Sequence, residues 1–584
     1  MLRSTAPGFK RNIWLGRRQF GGCSKSGNLL PLYKCVASKK PLQQDDLYKE
    51  RMTNIVEGGL RYAYAKEHEP QNAEAYKYKK VEPSQVRDVK VVGAGMAGLA
   101  IAYELAQIGH NVTILEMQGR AGGRVKTFYE FTDGLHCEGG AMRIPPNHYL
   151  THHYFRAFDV KLRPFQNYQP NGYMYLYGNK IRMQEFHNRN NDFSNEHWPG
   201  WDVNLSKDVK QKLEIKGILG YFDATIQPVI DELGESPTQE VWAKWVDKWS
   251  KYSTEDFLRS QTFIRPDGLN LQPWPEQAIN GYKVSSYSPT LSGSFVADLR
   301  DIIGQWWATD LQTPKDGMTA LTRGFLARNV GGWNKDVQLS KNLQYGIKVE
   351  TIDRKHINDK LRLQGICKAS GQNDKTYEAD AVFVTVPLNI LRQMDVPLLS
   401  REKQQAIAGI TYAASTKIMI QCKRRFWQDD VGQGGFSKSS DMIGQLHYPD
   451  YDGSNILKDE RGVLLVYTWD KDALAFGSQS HEDAIQSAVN EISKIHPEMK
   501  REVELGNVQA WYSDPATLGA YASLKPHEYL EHLQRLWKSD HPLYLAGEAL
   551  SWSNGWIQGA IFSGLSQAFC FQAHVEGRPG RLPW

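Results

Sequence analysis

Residues 89–124, VKVVGAGMAGLAIAYELAQIGHNVTILEMQGRAGGR, constrain the fold more than any other stretch of this chain. Val89 to Val92 is a short apolar run suited to a buried strand. Gly93, Gly95 and Gly98 then spell G-x-G-x-x-G. From Met96 to Ile108 the apolar residues recur with helical spacing, and Gly109 stands where a helix C-terminal cap belongs. Val112 to Leu115 reads as a second strand, closed by Glu116. Strand, glycine turn, helix and a strand ending in an acid make a βαβ unit with a dinucleotide fingerprint. The expected cradle is Gly93, Ala94, Gly95, Met96, Ala97 and Gly98. Its N–H groups and the positive helix end favour a pyrophosphate. Glu116, about twenty residues beyond Gly95, is the expected acceptor for ribose hydroxyls. An acid there opposes a ribose 2′-phosphate, but FAD and NAD both satisfy the pattern.

The next residues separate the two. Arg120-Ala121-Gly122-Gly123-Arg124 is a second glycine turn flanked by arginines. It suits an extended dinucleotide that needs more backbone and cationic contact, with Arg120, Gly123 and Arg124 as its contacts. This stretch resembles the GG-motif flavoproteins, the family of amine and L-amino-acid oxidases.

Bulk properties exclude several classes. A chain of 584 residues is too long for one simple core, so two or three domains are expected. The net charge is +5, and residues 1–44 alone hold nine Lys or Arg and no acid. The remainder carries 61 basic against 65 acidic residues, so the basicity is not a nucleic-acid-binding face. No run of 18 apolar residues exists, which excludes a transmembrane helix. The six cysteines are scattered without C-x-x-C, so no disulfide framework is expected. His152 and His153 are adjacent and would diverge by about 100° on a helix, so no metal site is expected.

In chain order, residues 1–87 read as an N-terminal segment and linker. The first 44, rich in arginine and free of acid, have the look of a transit peptide. A disordered tail or a cleaved pro-segment is the alternative, so the destination stays open between mitochondrial and secreted. A helical patch is expected near Leu47 to Tyr64. Residues 88–150, 313–398 and 536–584 are assigned to the cofactor domain, and residues 151–312 and 399–535 to the substrate domain. Tyr173 to Tyr177 reads as a strand before a Gly178-Asn179 turn. Helices are expected over Val209–Leu233, Thr238–Tyr252, Thr254–Arg259 and Phe295–Trp307. Tyr345 to Val349 reads as one strand, and Ala379 to Leu391 as an apolar strand closing at Pro387.

Several separated motifs carry the resemblance further, from about Val89 to Gln572, in an order that matches the family. Gly139-Gly140-Ala141-Met142-Arg143-Ile144-Pro145 places one arginine in an otherwise apolar turn. The resemblance lays Gly140, Ala141 and Met142 against the flavin and gives Arg143 the substrate carboxylate, which a guanidinium can grip as a fork. Lys417 stands in the apolar run Thr411–Ile420, where a lysine is costly unless used. It reads either as an edge or snorkelling lysine or, from the resemblance, as the catalytic lysine that holds a water at the flavin N5. Tyr467, in the buried run Val463–Trp469, is a core tyrosine or the second donor to the substrate carboxylate. Val349 matches the backbone contact to adenine, and Tyr521 lies in the small-residue turn of the side-chain pocket. Gly547-Glu548 and Gly555-Trp556-Ile557 resemble the terminal flavin motif, with Glu548 at the ribityl chain, Trp556 beside the ring, and Gly555, Trp556 and Tyr521 lining the substrate site. Ala520 stands where monoamine oxidases carry the cysteine that bonds to flavin, so the FAD is expected to be non-covalent.

The fold implied is α/β, or α+β overall: a GG-type Rossmann-like FAD domain, a β-rich substrate domain and a helical insertion. The activity implied is oxidation of L-amino acids, with passage of a hydride from Cα–H to flavin N5, hydrolysis of the imino acid to a 2-oxo acid and ammonia, and peroxide from O₂. The expected partners are a small L-amino acid and O₂, with no nucleic acid; a homodimer is compatible with the sequence. The rivals are an amine or polyamine oxidase, which has no carboxylate to hold, and a flavoprotein that only binds. Arg143 and Tyr467 discriminate against the first, and Lys417 against the second.

Overall fold

The computed structural model describes residues 81–577, apart from 147, 552, 234–238, 265–269, 287–290, 304–305, 307–309, 332–335, 368–374 and 451–458. The basic N-terminal segment and the patch Leu47–Tyr64 lie outside the described residues. The elements that build the site are, in chain order, β1 (Asp88–Val92), α1 (Met96–Gln107), β2 (Asn111–Glu116), β3 (Tyr173–Leu176), β4 (Asn179–Arg182), α2 (Phe295–Ile303), β5 (Leu343–Tyr345) and β6 (Ala381–Val384). They continue with β7 (Ser415–Cys422), β8 (Phe436–Ser439), β9 (Gln445–His447), β10 (Gly462–Trp469), β11 (Val503–Ala510), β12 (Tyr521–Ala522), β13 (Leu543–Leu545) and α3 (Ile557–Val575).

Five strands form a parallel sheet in the order β5-β2-β1-β6-β13. Parallel strands covered on both faces read as continuous apolar runs, and β1 and β6 do so. Helix α3 lies across α1, where a Cβ added to Gly564 would come 2.8 Å from the Ala97 carbonyl oxygen. That near contact of two backbones needs glycine, and it locks the last helix of the chain onto the first helix of the nucleotide unit.

Seven strands form the second sheet, in the order β11-β7-β10-β9-β8-β3-β4. All its pairings are antiparallel except β8 with β3. Ile418, Ile420, Leu446, Leu464 and Val466 point to one face and share a core with Ala484, Ala488 and Ile492 of the helix His481–Ile495. On the opposite face Met419, Val463 and Leu465 pack with Phe128 and Met142.

Three expectations are corrected. The helix read over Val209–Leu233 is two helices, Lys207–Lys212 and Gly217–Asp231. The chain turns between them through positive φ at Glu214 (49°) and Gly217 (72°), a conformation no helix continues through. The strand read over Ala379–Leu391 splits at Ala379/Ala381 and ends at Val384; Pro387 then caps a short helix, Leu388–Leu391. The strand read over Tyr345–Val349 breaks at Gly346, φ 72°, so that β5 edges the parallel sheet while Ile347–Asp353 opens a separate antiparallel sheet. Apolar periodicity sees none of these breaks, because it reports which face is apolar and not the backbone angles at which the chain turns.

Candidate active site

At the nucleotide end, the Gly93 N–H donates to the Leu115 carbonyl, 2.8 Å, and φ at Gly93 is 103°. A Cβ on Gly98 would lie 2.1 Å from the Gly93 carbonyl oxygen, whereas one on Gly95 would meet no atom within 4 Å. The turn is thus closed against the helix at Gly98 and faces open space at Gly95. Gly95 caps α1 without a side chain, so the first-turn N–H groups of Met96 and Ala97 receive no side-chain cap. The buried Glu116 carboxylate accepts the Ala94 and Gln118 N–H groups, 2.8 Å each, and burial raises its pKa.

The second glycine turn stacks on the first. Gly95 bridges Gly122, and the Gly122 N–H donates to the Ala94 carbonyl at 2.8 Å. A Cβ on Gly123 would lie 3.2 Å from Gly95 Cα. Arg120 folds back onto the Gly123 carbonyl, 2.7 Å. Arg124 donates to the Ala520 carbonyl, 3.0 Å, and pairs with Glu548, 2.6 Å. Both arginines therefore brace the turn from within the protein. The uncapped helix start, the open side of Gly95 and the buried acid at the end of β2 fit a dinucleotide with its pyrophosphate over α1.

Glu548 ties three motifs together. Besides Arg124, its carboxylate accepts the N–H of Ala522, 3.1 Å, and of Gly555, 2.7 Å. Gly547 donates to the Ser563 hydroxyl, 2.8 Å, which anchors this turn to α3. Trp556 caps α3 and Ile557 begins it. The Trp556 ring stands edge-on to His148 and Trp306, with centroids 4.9 Å and 5.7 Å away. A Cβ on Gly555, where φ is 81°, would be 3.5 Å from the Tyr521 ring. The positive end of α3 therefore opens between Trp556 and Tyr521, where negative charge is stabilised.

A row of side chains runs across the seven-stranded sheet. Gln509, Lys417, Tyr467, Gln445 and Lys438 are successive directly opposed residues on β11, β7, β10, β9 and β8. Opposed residues share a face. Lys417 is 1% exposed in a strand flanked on both sides, so it is neither an edge nor a snorkelling lysine. Its ammonium donates to the carbonyls of Gly140 (2.6 Å) and Glu138 (3.2 Å), lies 3.3 Å from Met142 Sδ, and sits 4.5 Å from the Tyr467 ring centroid. Burial holds its pKa well below the ordinary lysine range.

Arg143 comes to the same place from the Gly139–Pro145 turn, which Ile144 pins through hydrogen bonds to Gln312, 2.8 and 3.0 Å. Its guanidinium donates to the Asn167 side chain, 3.1 Å, and lies 5.9 Å from the Phe165 ring centroid. Burial pushes its pKa down to about 10, against the pull of Tyr467, Asp301 and Tyr521. Tyr521 and Tyr467 are themselves raised by burial, and Tyr467 adds to the rise at Tyr521. Arg143, Lys417, Tyr467, Tyr521, Gly555 and Trp556, more than 400 residues apart in the chain at the extremes, are thus gathered in one region. Val349 is set apart from them: its side chain is buried with Val92 and Leu115, on the strand that follows β5 at the nucleotide end of the sheet.

Sequence reasoning passed over several neighbours. His447 is buried with its pKa held well below normal by burial and by the cations Arg143 and Lys417. Arg300 and Asp301 on α2 form an ion pair at 2.7 Å, and Arg300 reaches Asn554 beside Gly555. Glu138 carries the carbonyl that holds Lys417. Only Glu138, directly before Gly139-Gly140, had a signal within the motif; the others are brought in by strand pairing and helix packing. Among the described residues no helix is long and apolar enough to cross a membrane, and no group of three or more His, Cys, Asp or Glu could hold a metal ion.

The family model of flavin-containing amine oxidoreductases matches residues 96–569. An L-amino-acid oxidase of Bothrops moojeni is 26% identical over 491 residues, spanning 83% of this chain and 89% of that one. An L-amino acid oxidase of Cerastes cerastes is 25% identical over 548 residues, 92% and 94% of the two chains. Among solved structures, a redesigned putrescine oxidase superposes with a TM-score of 0.61 at 17% identity, over 84% of this chain and 99% of that one, a likeness of fold. With the family pattern running from the start of α1 through the second glycine turn and the seven-stranded sheet into α3, the chain belongs to the flavin-containing amine oxidoreductases.

Proposed function

We propose that this enzyme is an FAD-dependent L-amino-acid oxidase, converting L-amino acids to 2-oxo acids with release of ammonia and hydrogen peroxide. The observation that carries the reading is the meeting of Arg143 and Tyr467 beside Lys417. A buried guanidinium next to a phenol is a carboxylate receptor: the first forks onto both oxygens and the second donates to one. An amine or polyamine has no group to place there, which favours the amino-acid reading over the amine-oxidase one. The L-amino-acid oxidases among its relatives support the same choice.

FAD, when bound, supplies the hydride-accepting chemistry and its reoxidation by O₂. On this reading Gly93 to Gly98, Glu116, Arg120, Gly123 and Arg124 hold its dinucleotide end, Val349 meets the adenine, and Glu548, Trp556 and Ile557 hold the ribityl and ring end. Arg143 and Tyr467 fix the carboxylate, Tyr521, Gly555 and Trp556 wall the side chain, and Lys417 orients a water. No general base of the Ser-His-Asp kind is called on; the rate comes from orientation of the Cα–H. Ala520 offers no sulfur, and burial pushes the Cys137 thiol, which faces Lys417, up to about 12; on this reading the flavin is held non-covalently. Homodimer formation and processing of the basic N-terminal segment, in transit or in secretion, belong to the same reading; sedimentation and a reporter fused to residues 1–44 test them.

The deciding experiment is a peroxide assay of the purified protein across L-amino acids, D-amino acids and amines. Turnover confined to L-amino acids is expected. Turnover of amines alone would transfer the assignment to the amine oxidases.

A further inference from the structure

We propose that Glu138 is the positioning residue for Lys417: its backbone carbonyl fixes the ammonium, and its anchored carboxylate keeps that ammonium charged. This rests on the proposed place of Lys417 beside the flavin. Two halves of one residue act on one lysine. The carbonyl accepts from Nζ at 3.2 Å, alongside the Gly140 carbonyl at 2.6 Å. The half-buried carboxylate accepts the Met318 N–H at 2.7 Å and the Thr127 hydroxyl at 2.9 Å. Thr127 is in turn held by Thr319, through N–H to hydroxyl bonds of 3.0 Å in both directions. The turn 317–319 thus grips the acid, and the acid's own backbone grips the lysine.

Cys137 and Glu138 both pull the Lys417 pKa back up against burial and Arg143, and Glu138 is the acid of the two. The groups that face Lys417 are Cys137 and Glu138 from the strand before the glycines, Arg143 from the turn after them, and Tyr467 and His447 from β10 and β9. Burial keeps the Cys137 thiol and the Tyr467 phenol protonated, and His447 neutral. Arg143 repels the ammonium. Glu138 is the carboxylate among them, itself pushed up by burial and drawn back by its two donors and by Lys417. Without it, burial and Arg143 would draw the pKa of this lysine, 1% exposed, further down.

The test follows the oxidative half-reaction of the flavin-loaded protein across pH. Glu138→Gln keeps the size and an acceptor oxygen but removes the charge. The midpoint of the Lys417-dependent limb should move down by about one to two pH units, and Glu138→Asp should restore most of that movement. A second readout is independent of turnover: thermal midpoints of the wild type, Glu138→Gln, Lys417→Met and the double variant at pH 7 and pH 10. The two changes should be non-additive at pH 7 and additive at pH 10, where the lysine is neutral. Where Glu138→Gln fails to fold, Thr127→Val, which strips one donor from the carboxylate, should move the same limb the same way by less. An unmoved limb together with additive midpoints at both pH values would overturn the proposal and leave Glu138 as an anchor of the turn alone. If Lys417→Met leaves reoxidation unchanged, the reading of Lys417 falls, and the pH dependence of the thermal coupling still decides the role of Glu138.

Discussion

Lys417 and Tyr467 are directly opposed across adjacent antiparallel strands, with the ammonium 4.5 Å from the ring centroid. A cation over an aromatic face in a desolvated site is worth about 2 kcal/mol. The contact holds the phenol of one functional residue and the ammonium of another in a single rigid pair. Functional groups built on strands are placed more precisely than groups on loops. The lysine and the phenol of the carboxylate receptor are therefore set relative to each other by sheet register, and a slip of one residue between their strands would turn one of them to the wrong face.

Lys417→Met should keep the fold and the flavin and slow turnover, chiefly in reoxidation. The strand stays apolar, and the lost partners are two backbone carbonyls, a thioether and the Tyr467 ring. Rapid mixing separates the two half-reactions; equal rates in both for variant and wild type would assign Lys417 to structure.

Arg143→Met should cut kcat/KM for L-amino acids by about two to four powers of ten, the equivalent of the roughly 3–5 kcal/mol lost when a buried charge-assisted pair is broken. Burial already draws the pKa of this guanidinium down to about 10, so its cation is poorly solvated and gains most from an anion. The matching amine, which has no carboxylate, should lose far less. Flavin content, read from the visible spectrum, should stay normal. Equal losses for both substrates would remove Arg143 from carboxylate recognition.

Gly95→Val and Gly98→Ala should fail in different ways. A side chain at Gly95 enters open space, so the apoprotein should fold with near-normal stability and bind flavin poorly. A Cβ at Gly98 meets the Gly93 carbonyl oxygen at 2.1 Å, so that variant should lose stability by about 1–3 kcal/mol or more, from overpacking. Circular dichroism melts of the apoproteins beside flavin titrations distinguish the two; a Gly95→Val protein with full flavin would remove the pyrophosphate from that turn.

Lys438 should make stability pH-dependent in the alkaline range. It is 8% exposed, and burial alone pushes its pKa down to about 8. A depressed folded-state pKa gives stability that is present above the unfolded value, about 10.4, and lost as pH falls through the folded one. The wild type should therefore lose roughly 2–4 kcal/mol from this group between pH 10.5 and 7. Lys438→Met removes that loss, so its melting temperature relative to wild type should rise as pH is lowered across this window. Parallel melting curves for the two proteins would show that Lys438 reaches water in solution.

What the sequence alone determined is the local chemistry. Strand β1, helix α1 and strand β2 follow from an apolar run, a glycine turn and helical spacing, all read within thirty residues, and Glu116 is where that reading puts it. The order of motifs was enough for the family, because backbone approach and charge are demands on single residues. The tertiary structure decided the rest. Whether Lys417 was an edge or an interior lysine turned on β11 and β10 flanking its strand, and the whole row from Gln509 to Lys438 exists through pairing between strands up to 92 residues apart. Arg124 and Glu548, both read as cofactor contacts, turn out to be paired across 424 residues, and Glu138 gains its hold on Lys417 across 279. Side-chain periodicity reports which face of an element is apolar; it carries no register between elements distant in the chain, and that register is what places a buried charge beside its partner.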